Sequence, residues 1–155
     1  MAKFNKLINE GKFVDKSHRL MMAATYVSNL ISHHRFIFFK KHNLSQQQYR
    51  ILYQLRNKFP QSATMTELSE SMVDIKSDMP RLTARLCEAN LIERKAENGR
   101  AIPFIITQTG LDVMSELDKH IPQLLLPFTK LTDEEMDQLM PLLERTAQVI
   151  EENES

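Results

Sequence analysis

A chain of 155 residues, 42% of them hydrophobic, is long enough to build one ordinary core. Its single cysteine, Cys87, and an opening "MAKFNKLINEGK" without the apolar run of a secretory signal lead us to expect a reduced, cytoplasmic protein. No stretch reaches the roughly 18 apolar residues of a transmembrane helix, so no membrane partner is expected. Formal charge is zero, yet residues 1–64 hold eleven Lys/Arg against two Asp/Glu, residues 65–107 six against seven, and residues 108–155 three against eleven. The ends carry opposite signs, so neutrality of the whole chain does not exclude a polyanion as partner of the middle.

Between Val14 and Lys41 there is no Pro or Gly, and apolar side chains recur at 20, 24, 27, 31 and 38. That spacing is one stripe of a long helix. A helix of this span runs about 42 Å, more than a domain of this size covers alone, so part of the stripe is expected to pack on a second subunit.

"LSQQQYRILYQLRNKF" opens a second helix with Ser45 as cap, Gln48 closing a capping box, and Leu44 stapling Tyr49; it should end near Phe59, ahead of Pro60. "ATMTELSESM" repeats the device with Thr64 and Glu67, with Leu68 and Met72 facing inward. A fourth helix follows in "SDMPRLTARLCEAN", where Met79, Leu82 and Leu86 share one face and Arg81 and Arg85 lie on another. Pro80 is tolerated only in a first turn, so the helix must start just before it, with Ser77 as the expected cap and Asn90 as a left-handed stop.

"LIERKAE" and "RAIPFII" flank Asn98 and Gly99, the pair suited to a two-residue hairpin turn, which would set Glu97 opposite Arg100 and Lys95 opposite Ile102. Pro103 suggests an edge-like second strand. Thr107 should cap a helix through "GLDVMSELDKHI" to a break or bend at Pro122 and a stop at Pro127. A third capping box, Thr132 with Glu135, stapled by Leu131 and Met136, opens the last helix. Pro141 is expected to kink it, and Leu139, Met140, Leu143, Ala147 and Ile150 form its apolar face.

Helix, short helix, turn, helix and a two-stranded ribbon make a winged helix-turn-helix. With long helices on both flanks, the sequence resembles the multiple antibiotic resistance (MarR) family of regulators. The resemblance spans roughly residues 20–150 and is carried by "LSQQQYRILYQL", "TELSESM", "RLTARLCEANLIERK", "ITQTG" and "LTDEEMDQLMPLLERT".

The expected class is mainly α with a small β-hairpin wing. Residues 1–44 and 108–155 would be dimerisation helices, and residues 45–107 the DNA-binding part. The resemblance implies a homodimer on a pseudo-palindromic DNA duplex, with Lys76, Ser77, Asp78 and Arg81 at the leading end of the major-groove helix, Arg85 further along it, and Arg100 and Lys95 on the wing. Arg85 has a competing role as partner of Glu88, and Arg100 as partner of Glu97.

The wing reads "ENGR" where the family carries a longer Asp-x-Arg stretch. "MVDIK" lacks the glycine that commonly follows the third helix, and Pro80 replaces a hydroxyl residue that often contacts DNA. An effector pocket for a small aromatic or phenolic anion is also implied, with Tyr26, His34 and Tyr53 as its candidates.

Cys87, near the end of the recognition helix, is read as packing rather than sensing. The histidines follow no ligand spacing, so no cofactor or metal is expected. No nucleophile–base spacing and no phosphate-binding glycine loop point to an enzyme. The competing reading is a winged-helix module for protein–protein interaction, favoured by the nearly neutral middle segment.

Overall fold

The computed structural model describes residues 2–70, 78–95 and 102–153. Two compact units divide the chain, residues 1–118 and 119–155.

In the first unit, a short α1 (Ala2–Phe4) and one π-helical turn (Asn5–Asn9) lead to the long α2 (Lys16–Lys41). Ile8 is buried, and the Phe4 ring meets Tyr26 edge-on at 5.8 Å. Asp15 caps α2 by accepting from the His18 amide at 2.8 Å. Within α2 only Phe38 and Phe39 are buried, while Leu20, Met21, Val27 and Leu30 are exposed. The apolar stripe read from the sequence is therefore uncovered over most of its length.

α2 ends where Asn43 turns left-handed (φ 55°), with the Leu44 amide on the Phe39 carbonyl (3.1 Å) and the Asn43 amide on that of Lys40 (3.2 Å). This Schellman pairing satisfies carbonyls that the helix end leaves orphaned. α3 (Gln46–Lys58) then starts on the expected capping box. The Gln48 amide donates to Ser45 Oγ (3.1 Å), and the Ser45 amide donates to Gln48 Oε1 (2.8 Å). Its inner face, Ile51, Leu52 and Leu55, is fully buried.

α4 (Met65–Glu70) opens on the second box. Glu67 accepts from the Thr64 amide (2.7 Å) and hydroxyl (3.0 Å), and Lys58 adds an ion pair at 2.7 Å. These partners hold the Glu67 carboxyl down at about 2, the Lys58 bond foremost. Met72 lies outside the described residues.

α5 (Met79–Glu88) begins one residue before Pro80, as the proline demands, and buries Met79, Leu82, Thr83 and Leu86. Its N-cap position is Asp78, not Ser77, which lies outside the described residues. Asn90 (φ 55°) ends α5 with the same pairing as Asn43. The Leu91 amide reaches the Leu86 carbonyl (2.9 Å), and the Asn90 amide that of Cys87 (2.9 Å).

β1 (Ile92–Arg94) pairs antiparallel with β2 (Phe104–Ile106). The register corrects the sequence reading by one residue. Arg94 opposes Phe104, and the Lys95 amide donates to the Pro103 carbonyl at 2.9 Å, so Lys95 does not oppose Ile102. The Asn98–Gly99 turn and the Glu97–Arg100 pairing fall outside the described residues.

Nor is β2 an edge. Phe104 exchanges both backbone hydrogen bonds with Ala63, each 2.8 Å, on the side away from β1. Pro103 is accommodated because it sits one residue ahead of that bridge and supplies only its carbonyl.

Thr107 links the hairpin to α6 (Gln108–Asp118). Its hydroxyl donates to the Asn90 carbonyl (2.7 Å) and accepts from the Gly110 amide (3.0 Å). α6 buries Met114 and Leu117 and stops at Asp118, before the expected break at Pro122. Pro122 has no N–H for the Asp118 carbonyl, and its ring would collide with that carbonyl, so the helix must end earlier.

In the second unit, Pro122 falls in the first turn of a separate α7 (Ile121–Leu125). α8 (Asp133–Asn153) starts on the third capping box, the Thr132 amide reaching Glu135 at 2.8 Å and the Glu135 amide Thr132 Oγ1 at 3.2 Å. It is one continuous helix through Pro141. Leu139, Met140, Leu143 and Ile150 are all exposed, as are Leu142 and Val149. No helix among the described residues is long and apolar enough to cross a membrane.

Candidate nucleic-acid interface

α5 is strongly amphipathic by sequence, and its buried side fixes what its other side presents. With Met79, Leu82, Thr83 and Leu86 inward, Arg81 and Arg85 can only project outward, and both are exposed. The Thr83 hydroxyl donates within the helix, to the carbonyls of Met79 (2.9 Å) and Pro80 (3.1 Å), so this buried polar group is satisfied.

At the leading end, Asp78 makes no capping bond with its side chain. Its carboxylate pairs with Arg81 instead, Nε to Oδ1 at 2.9 Å and Nη2 to Oδ2 at 3.3 Å. Both side chains stay open to solvent, at 64% for Arg81 and 41% for Asp78. Arg85 forms no ion pair with Glu88, the partner that the sequence offered for it.

Asp78, Arg81 and Arg85 thus share the outer surface of one helix. Lys95 is exposed where the described part of the hairpin ends. Lys76, Ser77 and Arg100 lie outside the described residues.

Sequence reasoning passed over Arg94. Its guanidinium sits 6.0 Å from the Phe104 ring centroid. It also approaches Cys87, whose thiol is pushed up by burial while Arg94 pulls the other way. Facing Phe104 across the strands was the available signal, hidden by the one-residue error in register. The Asp78–Arg81 pair was visible as an i, i+3 spacing at a helix start.

The effector candidates occupy different surroundings. Tyr26 packs on Phe4, and His34 follows eight positions later on α2, about 12 Å along its axis. Tyr53, on α3, lies 6.0 Å from the Tyr49 ring and under the Arg56 guanidinium at 5.6 Å. It lines a recess of about 310 Å³ with Tyr49, Arg50 and Gln54, to which neither Tyr26 nor His34 contributes. Burial raises the Tyr49 hydroxyl, and burial followed by the Arg50 charge lowers Arg35. Sequence reasoning missed Tyr49, Arg35 and Arg50 as neighbours of this recess. Among the described residues no group of three His, Cys, Asp or Glu is placed to hold a metal ion.

Three short helices and a hairpin, with a solvent-facing basic helix between helical flanks, define a winged helix-turn-helix. No family model matches the chain, and no curated protein matches its sequence. Solved structures do match it. AbsC, a MarR family transcriptional regulator from Streptomyces coelicolor, superimposes with a TM-score of 0.79 at 20% identity, over 91% of this chain and 99% of that one.

A mutant of MarR from E. coli, crystallised with operator DNA, gives 0.71 at 19% identity, over 92% and 96%. An organohalide-sensing transcriptional regulator in its 2,4-dichlorophenol-bound form gives 0.74 at 17% identity, over 87% and 81%. The chain has a MarR-like winged-helix fold, as the residues at its capping boxes and hairpin suggested.

Proposed function

We propose that this protein is a homodimeric, sequence-specific regulator of transcription that binds double-stranded DNA, one α5 per half-site of a pseudo-palindromic operator, in the cytoplasm. The observation that carries the reading is the outer face of α5. On a fold whose solved relatives include one with operator DNA, it presents Arg81 and Arg85 to solvent from a helix held rigid by its buried side. Arginines there can bond guanine or clamp phosphate, with Lys76, Ser77 and Asp78 at the same end and Lys95 and Arg100 on the wing.

Dimerisation is supported by the uncovered apolar residues of α2 and α8, which a second copy would cover. Residues 1–44 and 108–155 are the proposed dimer regions, flanking a DNA-binding part at 45–107. A ligand response is supported by the Tyr53 recess, with its tyrosines and nearby guanidiniums suited to a phenolic anion. Tyr26 and His34 remain the second and third pocket candidates. Such a ligand shifts DNA affinity only as far as it binds the two conformations unequally.

The test is selection of genomic DNA with the purified protein, then titration of the recovered site at several salt concentrations, with sedimentation to give the oligomeric state. An inverted repeat, bound by a dimer with a steep salt slope and weakened by Arg81→Ala and Arg100→Ala, is the expected result. A dimer that enriches no site and is indifferent to both substitutions would overturn it, and leave the protein-interaction module as the better reading.

A further inference from the structure

We propose that Asp78 makes Arg81 a guanine-reading residue: the carboxylate holds the guanidinium by its side edge and offsets its charge, so that the end of the fork meets a base rather than a phosphate. Asp78 is then a positioning and specificity-determining residue for DNA recognition. The proposal rests on the DNA-binding reading above.

The geometry selects among the roles open to an aspartate at a helix start. A capping aspartate accepts from the amide two or three residues on, with extended backbone. Asp78 has helical backbone angles (φ −101°, ψ −3°) and makes no such bond. The reason lies in the sequence, since the residue two positions on is Pro80, which has no N–H to give. With one of the two usual donors missing, the carboxylate turns to Arg81.

The contact is side-on. Nε and Nη2, the two nitrogens of one edge, approach the two carboxylate oxygens at 2.9 and 3.3 Å. A guanidinium carries five N–H donors in a fixed plane, and this pairing uses one from each of those nitrogens. Three remain, on Nη1 and Nη2, and one from each forms the end edge of the fork. That edge matches the two acceptors, O6 and N7, that guanine shows in the major groove.

Electrostatics points the same way. A phosphate attracts an arginine through net charge, and next to Asp78 that charge is largely offset. A guanine attracts it through two directed hydrogen bonds, which survive the offset and benefit from a guanidinium already oriented. The pair is solvent-exposed, so it biases orientation rather than locking it.

The experiment uses the full-length protein, as wild type, Asp78→Asn, Asp78→Ala, Arg81→Ala and the Asp78→Ala/Arg81→Ala double variant. Each is titrated against the selected site, versions with single G·C pairs replaced, and an unrelated duplex, at several salt concentrations. Wild type is expected to discriminate one G·C pair per half-site by about 5- to 150-fold, the range of a bidentate contact. Arg81→Ala should abolish discrimination at that pair.

Asp78→Ala should reduce it about two- to fivefold at the same pair, the worth of an exposed ion pair, while tightening binding to the unrelated duplex and steepening the salt slope by about one per half-site. Asp78→Asn, which keeps the shape and loses the charge, should fall between. The double variant should lose no more discrimination than Arg81→Ala alone.

Equal tightening on every duplex, with discrimination intact in Asp78→Ala, would overturn the proposal and reduce Asp78 to a repulsive charge. Discrimination unchanged in Arg81→Ala would overturn it as well, while leaving the DNA-binding reading in place. A wild type that binds no duplex would overturn both.

Discussion

Gly110 is a position at which the winged-helix unit leaves no room for a side chain. A Cβ built there would stand 2.2 Å from the Leu91 carbonyl oxygen, 2.7 Å from Ile106 Cγ1 and 3.1 Å from the Leu91 carbonyl carbon. Ordinary contact begins near 3.4 Å, so Gly110→Ala requires α6 and the residue-91 backbone to part by about 1 Å.

That backbone is not free to yield. The Leu91 carbonyl accepts from the Thr107 amide at 3.1 Å, the Leu91 amide is tied to Leu86, and the Thr107 hydroxyl is tied to Asn90. Overpacking of this kind costs about 1–3 kcal/mol, and a strained Thr107–Leu91 bond adds up to about 1 kcal/mol. Alanine's helix propensity returns about 1 kcal/mol. The net is about 2 kcal/mol of lost stability, read by urea unfolding at fixed protein concentration. Ser115→Ala, at an exposed position of the same helix, serves as the control and should stay within about 0.5 kcal/mol of wild type. Gly110→Ala equal to or more stable than wild type would mean that the close approach of α6 to the hairpin is not what demands glycine there.

Two further predictions concern helix starts. Ser45→Ala removes the acceptor of the Gln48 amide and should lower stability by about 1 kcal/mol in the same urea assay; no change would mean that water replaces the cap. Glu67, whose carboxyl is held at about 2 against an ordinary 4.5, contributes stability that is fully present above the unfolded value and is lost as pH falls through the folded one. The advantage of wild type over Glu67→Gln should therefore shrink between pH about 4.5 and about 2, and a constant difference across that window would deny the Lys58 and Thr64 contacts a role in solution.

What was legible in the sequence was what is local. Three capping boxes need only residues three apart, and all three form. Asn90 was readable as a left-handed stop because an apolar helix face ended beside it. Asn43 uses the same device and was passed over, since "KKHNLS" offered no such edge. Errors arose where partners are distant or exclusive. Ala63 joins the hairpin from 41 positions before Phe104, and no local pattern announces it. That bridge gives Phe104 a second backbone partner beside the two-stranded ribbon, which Pro103, read as the mark of an edge-like strand, did not foretell.

The charge pattern shows the limit most directly. Counted along the chain, the middle segment is nearly neutral and the ends opposed, which left DNA binding and protein binding both open. In the folded unit some of these charges are engaged in pairs. Lys58 is on Glu67, Arg56 on Asp118, and Asp78 on Arg81. The first two link basic residues of the first segment to acids of the later ones, so part of the polarity seen along the chain is consumed inside the fold.

The third pair differs in kind, because it lies on the exposed face of α5 and its arginine keeps an open edge. A segment's net charge measures long-range attraction to a polyanion, whereas recognition of a base depends on where the remaining donors point. Near-neutrality in the middle is therefore compatible with specific DNA binding, provided that affinity comes from directed bonds and from two half-sites engaged together. The expected signature is a salt slope in wild type that steepens further when Asp78 is removed.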